Sequence, residues 1–499
     1  MIDETLSAGR QNSPDIPTAL EFQEVKHRSI SGVMALISRT FIIQIISFVA
    51  TLFLTIFLDP NTYGIFYLVS SVVNFLAYFS DIGLAAALIQ KKEGITKEDL
   101  STTFTVQQIL VISLLILLFL VSPFLRTQYQ IDQAGMYLLY AMGISLFLSS
   151  LKTIPSIMLE REIKFNKLIL PQVLETLTFN ALAVVLAWQG FGVTAFTVAV
   201  LGRGVVGLVA MYLVYPWRPS LGIHRDSLSH LLRFGLPYQA NTFLAVLKDD
   251  GMTIILTRII GTQGLGYIGW ASRWAGLPLR IVMDNLTKVS FPTFARLQHD
   301  QEKLAHAVEI SLKYMCLLAF PVLAGMGFIA LPLTHLIPRY AKWLPAIIPL
   351  YIYLYNSAWA SISTSLTNLL NATGHIKSTF KLMLMWTGLT WLTMPFLALK
   401  FGYLGVAYAT GIIATSSIVT IFMARSHVRF NLLAIITTPL TATLVMSIYL
   451  FFTTRFITSF PLLAVIVVVS VLLYTLSILF LEGKSFFTDT LNYFKIKHA

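Results

Sequence analysis

Charged and aromatic side chains that could bind a ligand lie inside long apolar segments of this chain. The basic ones are Arg39, Arg203, Lys248 and Arg273, the acidic ones are Asp81, Glu175, Asp249 and Asp250, and Trp270 and Trp274 flank Arg273. An ionisable group in a membrane span is costly, so it marks a water-filled cavity, a pathway or an ion pair. Arginine suits phosphate because its planar guanidinium donates two parallel hydrogen bonds. These residues predict a positively charged cavity for an anionic substrate.

Ion pairing inside the membrane is the alternative role for these charges. Counting about 1.5 Å of rise per helical residue, Arg273 is predicted at the depth of Asp249 and Asp250. Arg39 and Asp81 both lie toward the predicted cytoplasmic ends of their spans. Two pairings follow as expectations: Arg273 with one of the two adjacent acids, and Arg39 with Asp81.

The remaining candidates divide between binding, coupling and packing. Arg203 lies near the middle of its predicted span with no acidic residue expected at its depth, which favours ligand binding. Glu175 is a candidate for pairing, or for carrying a coupling proton or Na⁺, as are both aspartates. The indole faces of Trp270 and Trp274 could stack on sugars, with packing or a place at the membrane interface as the alternative.

The composition excludes a soluble protein. Of 499 residues, 56% are hydrophobic and only 12% are charged, whereas soluble chains are about 25% charged. The mean hydropathy is +0.75. Cys316 is the single cysteine, so the sequence predicts no disulfide within the chain and no cysteine-based metal site. An integral membrane protein of many helices is the class that fits.

Apolar stretches of about 20 residues predict about 14 transmembrane helices in an all-α polytopic membrane protein. The predicted order is a cytoplasmic N-terminal tail (1–30), a first lobe of six helices (31–215), a cytoplasmic linker (216–232), a second lobe of six helices (233–425), helices 13 and 14 (426–481) and a cytoplasmic C-terminal tail (482–499).

Basic residues predict the orientation. With the N-terminus in the cytoplasm, 25 of the 35 Lys and Arg residues fall in inner connections or tails and 6 in outer connections. Cytoplasmic loops of membrane proteins carry such an excess. We therefore expect a multi-pass protein of the inner (plasma) membrane with both termini in the cytoplasm.

Two short similarities predict an internal duplication. Leu54-Thr55 and Gly64 recur as Leu256-Thr257 and Gly266 after 202 residues, and Phe191-Gly192 recurs as Phe401-Gly402 after 210 residues. Since each repeat holds six spans, an even number, the two repeats are parallel. Parallel repeats around a cavity suit alternating access, and helices 13 and 14 are an addition to the pair.

Missing motifs argue against an enzyme. The chain contains no GxxxxGK[ST] phosphate loop and no HExxH motif, and its predicted outer loops are short. We therefore predict no catalytic residue, no cofactor and no metal site. We expect the excess of Lys and Arg over Asp and Glu to contact anionic membrane lipid rather than nucleic acid.

Several segments resemble the bacterial polysaccharide transporters, the oligosaccharide flippases of the multidrug/oligosaccharidyl-lipid/polysaccharide superfamily. The similar segments are Tyr63-Gly64-Ile65-Phe66, Phe79-Ser80-Asp81-Ile82-Gly83-Leu84, Ala87-Leu88-Ile89-Gln90-Lys91-Lys92, Phe234-Gly235-Leu236-Pro237, Arg258-Ile259-Ile260-Gly261, Leu265-Gly266-Tyr267, Phe291-Pro292 and Asn371-Ala372-Thr373-Gly374. The likeness extends from about Ser31 to Ala424. It implies two six-helix lobes in a V, and movement of an undecaprenyl-diphosphate-linked oligosaccharide to the outer leaflet.

The resulting functional prediction is a flippase for a polyprenyl-diphosphate-linked oligosaccharide, acting in export of a lipopolysaccharide or exopolysaccharide. The expected partners are this lipid-linked substrate and membrane lipid, with H⁺ or Na⁺ as the candidate coupling ion and a polysaccharide polymerase as the candidate protein partner. One alternative is a multidrug or cation exporter of the same fold, which would favour an acidic cavity. Another is a membrane enzyme of polysaccharide assembly, which would need a long outer loop.

Overall fold

The structure is a computed structural model that describes residues 42–91, 94–162 and 164–483, in which no residue lies in a strand. The first half contains α1 (Ile42–Phe57), α2 (Pro60–Ala77), α3 (Leu84–Gln90), α4 (Lys97–Tyr129), α5 (Gln133–Leu151), α6 (Thr153–Arg161), α7 (Phe165–Trp188) and α8 (Val193–Val214). The second half contains α9 (Arg225–Val246), α10 (Met252–Leu297), α11 (Gln301–Leu336), α12 (Ile347–Ala372), α13 (Ile376–Phe401), α14 (Tyr403–Ser416), α15 (Ile418–Arg425), α16 (Leu432–Thr453) and α17 (Phe460–Glu482). The predicted N-terminal tail, Arg39 and nearly all of the predicted C-terminal tail lie outside the described residues.

The all-α membrane fold is confirmed. Helices suit a membrane because a helix satisfies its own backbone polar groups in lipid. Within the described ranges, ten helical segments are long and apolar enough to cross a membrane. The predicted seventh and eighth spans, in α9 and α10, carry charged side chains, and α12 is rich in Ser, Thr and Asn. The first predicted span is described only from residue 42. The count of 14 crossings therefore stays a prediction.

Breaks interrupt several of these helices. Between α2 and α3, Ile82 (φ 44°) and Gly83 (φ 80°) turn the chain. Lys152 (φ −98°, ψ 2°) separates α5 from α6. A π-helical turn at Leu247–Gly251 precedes α10, and α10 itself bends at Gly261 (φ 72°, ψ 171°). Such breaks are tolerated in membrane proteins where they are buried in protein or line a water-filled space.

Helices α2 and α10 form the principal contact between the two halves. A Cβ atom at Gly64 would lie 3.1 Å from the backbone nitrogen of Gly266 and would overlap the carbonyl oxygen of Thr262. One turn further along, the Tyr67 hydroxyl donates to the carbonyl oxygen of Gly269 (3.4 Å). The pairs Gly64–Gly266 and Tyr67–Gly269 are each 202 residues apart, which is the offset of the predicted repeat. Equivalent helices of the two halves therefore face each other here.

A second contact between the halves lies at the other end of α2. A Cβ atom at Gly83 would lie 2.7 Å from the Cα atom of Gly235, in α9. Beside it, Gln239 donates from Nε2 to the carbonyl oxygen of Tyr78 (2.6 Å), and the Tyr78 hydroxyl donates to the carbonyl oxygen of Gln239. We call the Gly64–Gly266 contact the first closure and the Gly83–Gly235 contact the second closure.

The second predicted similarity also has a structural counterpart. Gly192, before α8, has φ 54° and ψ −127°, and Gly402, before α14, has φ 59° and ψ −141°. An L-residue with a side chain rarely adopts this conformation, so glycine is required at both turns. The two Phe-Gly sequences thus build the same turn in each half, which supports the predicted duplication.

Helix α9 begins within the segment predicted as the linker (216–232). Residues 216–224 are not helical, but α9 already begins at Arg225. The last two helices, α16 and α17, pack on α11 and on each other. The remaining domain bounds stay predictions.

The predicted orientation leads to a labelling result. Gln189 and Gln298 are exposed, and the native Cys316 is buried. In a Cys316→Ser background, we expect Gln189→Cys to react with an impermeant maleimide added outside the cell. Gln298→Cys should react only after the membrane is permeabilised, because the predicted orientation puts it on the cytoplasmic side. Reaction of both cysteines from the same side would contradict the predicted span order.

Candidate functional site

Arg273 connects the two halves through α1. Its Nε and Nη2 atoms both donate to the Thr51 hydroxyl oxygen, at 3.2 and 3.0 Å. Arg280 lies seven residues further along α10, on the same helical face, and is exposed. Arg280 was not among the predicted site residues, and it belongs to the helix itself because α10 remains helical to Leu297. One face of α10 therefore presents two guanidinium groups.

The expected pairing of Arg273 with Asp249 or Asp250 is wrong. Asp249 pairs instead with its neighbour Lys248, and its side chain is 66% exposed. Asp250 lies beside Ser71 and Asn74 of α2. The physical reason is the π-helical turn, which sets the direction of both carboxylates, while Arg273 points to α1.

A second charge cluster lies inside the first half. Lys152 donates from Nζ to Oε1 of Glu175, and Nε of Arg203 lies 3.8 Å from Oε2 of the same carboxylate. The expectation that Arg203 has no acidic residue at its depth is therefore wrong. Glu175 and Arg203 are each the eleventh residue of their helices, α7 and α8, so both lie near the middle of a helix.

The position of Lys152 follows from a proline. Pro155 has no backbone N–H, so the carbonyl oxygen of Leu151 has no helical donor. The Tyr212 hydroxyl donates to this oxygen instead (3.0 Å). The helix breaks at Lys152, and its ammonium group turns toward Glu175. Lys152 was not among the predicted site residues, although Pro155 three residues later was the available signal.

Arg203 lies on the interior face of α8. It is four residues from Gly207 and seven from Phe196, both of which are buried, whereas Val205 and Val209 on the other face are exposed. The Arg203 side chain is nevertheless 54% exposed. The Arg203 side chain is therefore accessible from outside the packed helices of the first half.

The predicted pair of Arg39 and Asp81 remains untested, since Arg39 lies outside the described residues. Asp81 stands at the break between α2 and α3. Both of its carboxylate oxygens accept from the backbone N–H of Ala85, at 3.2 Å. The carboxylate thus caps the start of α3, beside the second closure.

The tryptophans pack inside the protein. Trp270 is 4% exposed and stacks on Trp343, with ring centroids 5.3 Å apart. Trp274 is 9% exposed and meets Phe48 of α1 edge to face at 5.8 Å. Of the roles considered for them, packing agrees with this burial, and neither indole face is open to a sugar.

A turn between α11 and α12 caps the end of α1. Because Pro60 lacks an N–H, the carbonyl oxygen of Ile56 has no helical donor, and Lys342 donates to it (2.8 Å). Trp343 donates from Nε1 to the carbonyl oxygen of Thr55 (2.8 Å). Burial lowers the pKa of Lys342, an effect that the nearby Asp59 carboxylate opposes. We call this contact the latch; sequence reasoning missed it, because only the fold shows which donors meet these oxygens.

The site as a whole is rich in cations. Five cationic side chains and three carboxylates have been described at this site. The cations are those of Lys152, Arg203, Lys248, Arg273 and Arg280, and the carboxylates are those of Glu175, Asp249 and Asp250. Within the ranges that the structure describes, no three His, Cys, Asp or Glu side chains come together as a metal site. The arrangement can hold an anion through hydrogen bonds from guanidinium and ammonium groups.

Comparisons with known proteins agree with this fold. The family described as "Polysaccharide biosynthesis protein" matches residues 53–348. Succinoglycan biosynthesis transport protein ExoT of Rhizobium meliloti (strain 1021) is 25% identical over 288 residues, which cover 58% of each chain. Lipopolysaccharide biosynthesis protein WzxC of Escherichia coli (strain K12) is 24% identical over 359 residues, or 72% of each chain. The match to ExoT thus spans less than two thirds of the length of that protein.

Among solved structures, the lipid II flippase MurJ in an inward closed conformation superimposes with a TM-score of 0.72. It is 16% identical, and the match covers 91% of this chain and 99% of that chain. At this identity the likeness concerns the fold. Since the family match covers more than half of the sequence, the chain belongs to the polysaccharide biosynthesis protein family.

Proposed function

We propose that this protein is a flippase that moves a polyprenyl-diphosphate-linked oligosaccharide from the inner to the outer leaflet of the inner membrane. The observation that carries the proposal is the pair of cation clusters, one in each half. Arg273 and Arg280 lie in α10, and Lys152 and Arg203 lie in the first half. The two halves meet at the first and second closures, and opening one closure at a time gives alternating access. The names of ExoT and WzxC, which concern polysaccharide assembly and transport, support this substrate class.

The barrier to flipping is the charge of the diphosphate. Removing an ionised phosphate from water costs far more than thermal energy supplies. Guanidinium groups in a hydrated path replace part of that hydration with charge-assisted hydrogen bonds. The prenyl chain has no such barrier and remains in lipid, while the diphosphate and sugars cross between the halves.

The rival functions fit the charges less well. An exporter of cationic drugs would favour a net acidic cavity, whereas the described interior has five cations against four carboxylates when the helix-capping Asp81 is included. A membrane enzyme of polysaccharide assembly would need a sizeable domain between spans. Within the part of the chain that the structure describes, consecutive helices are joined by short segments.

If transport is coupled to an ion gradient, the residue that binds the coupling ion is Asp250 rather than Asp249. Ser71 and Asn74, the α2 side chains beside Asp250, are neutral, so they leave its charge to be balanced by H⁺ or Na⁺. Asp249 already has Lys248 as its counter-charge. A polysaccharide polymerase, which would use the product on the outer side, is the protein partner that we propose.

A reconstituted assay tests this function. Proteoliposomes carrying a labelled polyprenyl-diphosphate oligosaccharide should move its headgroup to the opposite leaflet, where an impermeant reagent quenches it, faster than protein-free vesicles do. With an imposed H⁺ or Na⁺ gradient, Asp250→Asn should lose the gradient dependence and Asp249→Asn should keep it.

Two results would contradict this account. Transport of ethidium without headgroup movement would favour the drug exporter. Equal gradient dependence in the wild type and both variants would exclude coupling through this pair of acids.

A further inference from the structure

In the first half, two cations share one carboxylate inside the membrane-embedded part of the protein. Lys152 holds Oε1 of Glu175, and Arg203 approaches Oε2 only to 3.8 Å. Only the single acid offsets the two basic groups, so the cluster has a formal charge of +1. A purely structural ion pair would need one base, and the second base therefore calls for another explanation.

The carboxylate is fixed and the arginine is not. Glu175 is only 12% exposed and packs on the backbone of α8 at Gly207, where a Cβ atom would lie 2.6 Å from its Cγ. Lys152 is 16% exposed. In the described ranges the Nη groups of Arg203 donate no hydrogen bond, and the Arg203 side chain is 54% exposed. The cluster thus presents free guanidinium N–H groups beside a cation pair that is already assembled.

We propose that this cluster, formed by Lys152, Glu175 and Arg203, is a second diphosphate-binding site in which Glu175 is a resident counter-anion. This inference rests on the proposed function, since it adds a binding site to the same path. Without ligand, the carboxylate prevents two unpaired cations from facing each other in a low-dielectric interior. A diphosphate brings more negative charge than one carboxylate, so it takes Arg203 first and then competes for Lys152. The second site receives the headgroup from the arginines of α10 as the halves move.

Binding measured by calorimetry on the purified, full-length protein tests the proposal. The probes are inorganic pyrophosphate and farnesyl diphosphate, a short polyprenyl diphosphate. Glu175→Gln should bind the probe about tenfold more tightly than the wild type, because the competing anion is gone. Lys152→Gln should bind it about tenfold more weakly. In the flippase assay, Glu175→Gln should still be slower than the wild type, because a tightly held headgroup is released slowly.

Controls separate this role from a structural one. Glu482→Gln removes another buried carboxylate that pairs with a lysine, Lys313 at 2.8 Å, and should leave probe binding unchanged. If Lys152→Gln alone fails to fold, the double variant Lys152→Gln/Glu175→Gln removes both charges together and keeps the binding test available.

The two probes identify the source of the ligand. Tighter binding of both to Glu175→Gln assigns the site to diphosphate chemistry in general. Tighter binding of farnesyl diphosphate alone assigns it to the lipid carrier. Unchanged or weaker binding of both overturns the proposal. Failure of wild-type flipping would instead count against the proposed function, since the binding measurement does not depend on transport.

Discussion

Substitution of alanine at Gly64 or Gly266 is expected to reduce headgroup flipping by about 100-fold, equivalent to about 2.7 kcal/mol. A methyl group at Gly64 would overlap the carbonyl oxygen of Thr262, and one at Gly266 would overlap the carbonyl oxygen of Pro60. Backbone atoms cannot rotate away as a side chain can, so the two halves must separate. The first closure would then stay open and the transport cycle could not be completed. Flipping in proteoliposomes measures the loss.

The second closure provides the matched comparison. Gly235→Ala would place a Cβ atom 2.8 Å from the carbonyl oxygen of Ile82, which separates the halves at the other end of α2. We expect Gly266→Ala and Gly235→Ala to shift spin-label distances across the two closures in opposite senses. Gly388→Ala is the control, since nothing lies within 4 Å of its Cβ position. Wild-type distances and rates in Gly64→Ala and Gly266→Ala would show that the first closure is not required.

Arg273→Lys should also reduce flipping by about 100-fold, although it keeps the positive charge. The guanidinium of Arg273 donates from two nitrogens to Thr51 and has further N–H groups for a phosphate. A lysine ammonium is a compact charge without the planar fork, so it cannot hold both partners in the same geometry. Initial rates of headgroup movement, compared at equal amounts of folded protein, measure the effect.

Variants of Thr51 distinguish positioning from charge. Thr51→Ser retains the hydroxyl that accepts from Arg273 and should keep most of the activity. Thr51→Val has a similar shape without the acceptor, and should lose about tenfold, or about 1.4 kcal/mol. Full activity in Arg273→Lys would remove the bidentate contact from the mechanism. Full activity in Thr51→Val would remove the positioning role of α1.

The latch and the first closure act at the same end of the molecule. Lys342 and Trp343 cap the carbonyl oxygens of Ile56 and Thr55 at the end of α1, only a few residues before Gly64. A movement that parts Gly64 from Gly266 must also release these hydrogen bonds or carry the latch with it. The released oxygens would then need water, which an opening cavity supplies.

The sequence by itself determined the class of protein, most of its helices and the presence of charge inside the membrane. These features depend on composition and local order, because about 20 apolar residues suffice to form a span. The offset of 202 residues also predicted the duplication, since duplicated segments fold alike, but not that the equivalent segments would meet. The loss of a backbone donor at Pro60 and Pro155 is likewise a local property that the sequence contains, whereas the side chains that replace the donor are set by the fold.

Only the tertiary structure decided which side chains meet. Arg273 binds Thr51, 222 residues away, rather than the acids at its own depth. Lys152 entered the site because a helix broke, and Asp250 turned to α2 through a π-helical turn. Successive residues on a helix point about 100° apart, so a one-residue change in rotation redirects a charge to another neighbour. The position of a charged residue within its apolar segment sets its depth in the membrane, but the packing of whole helices determines which side chain it contacts.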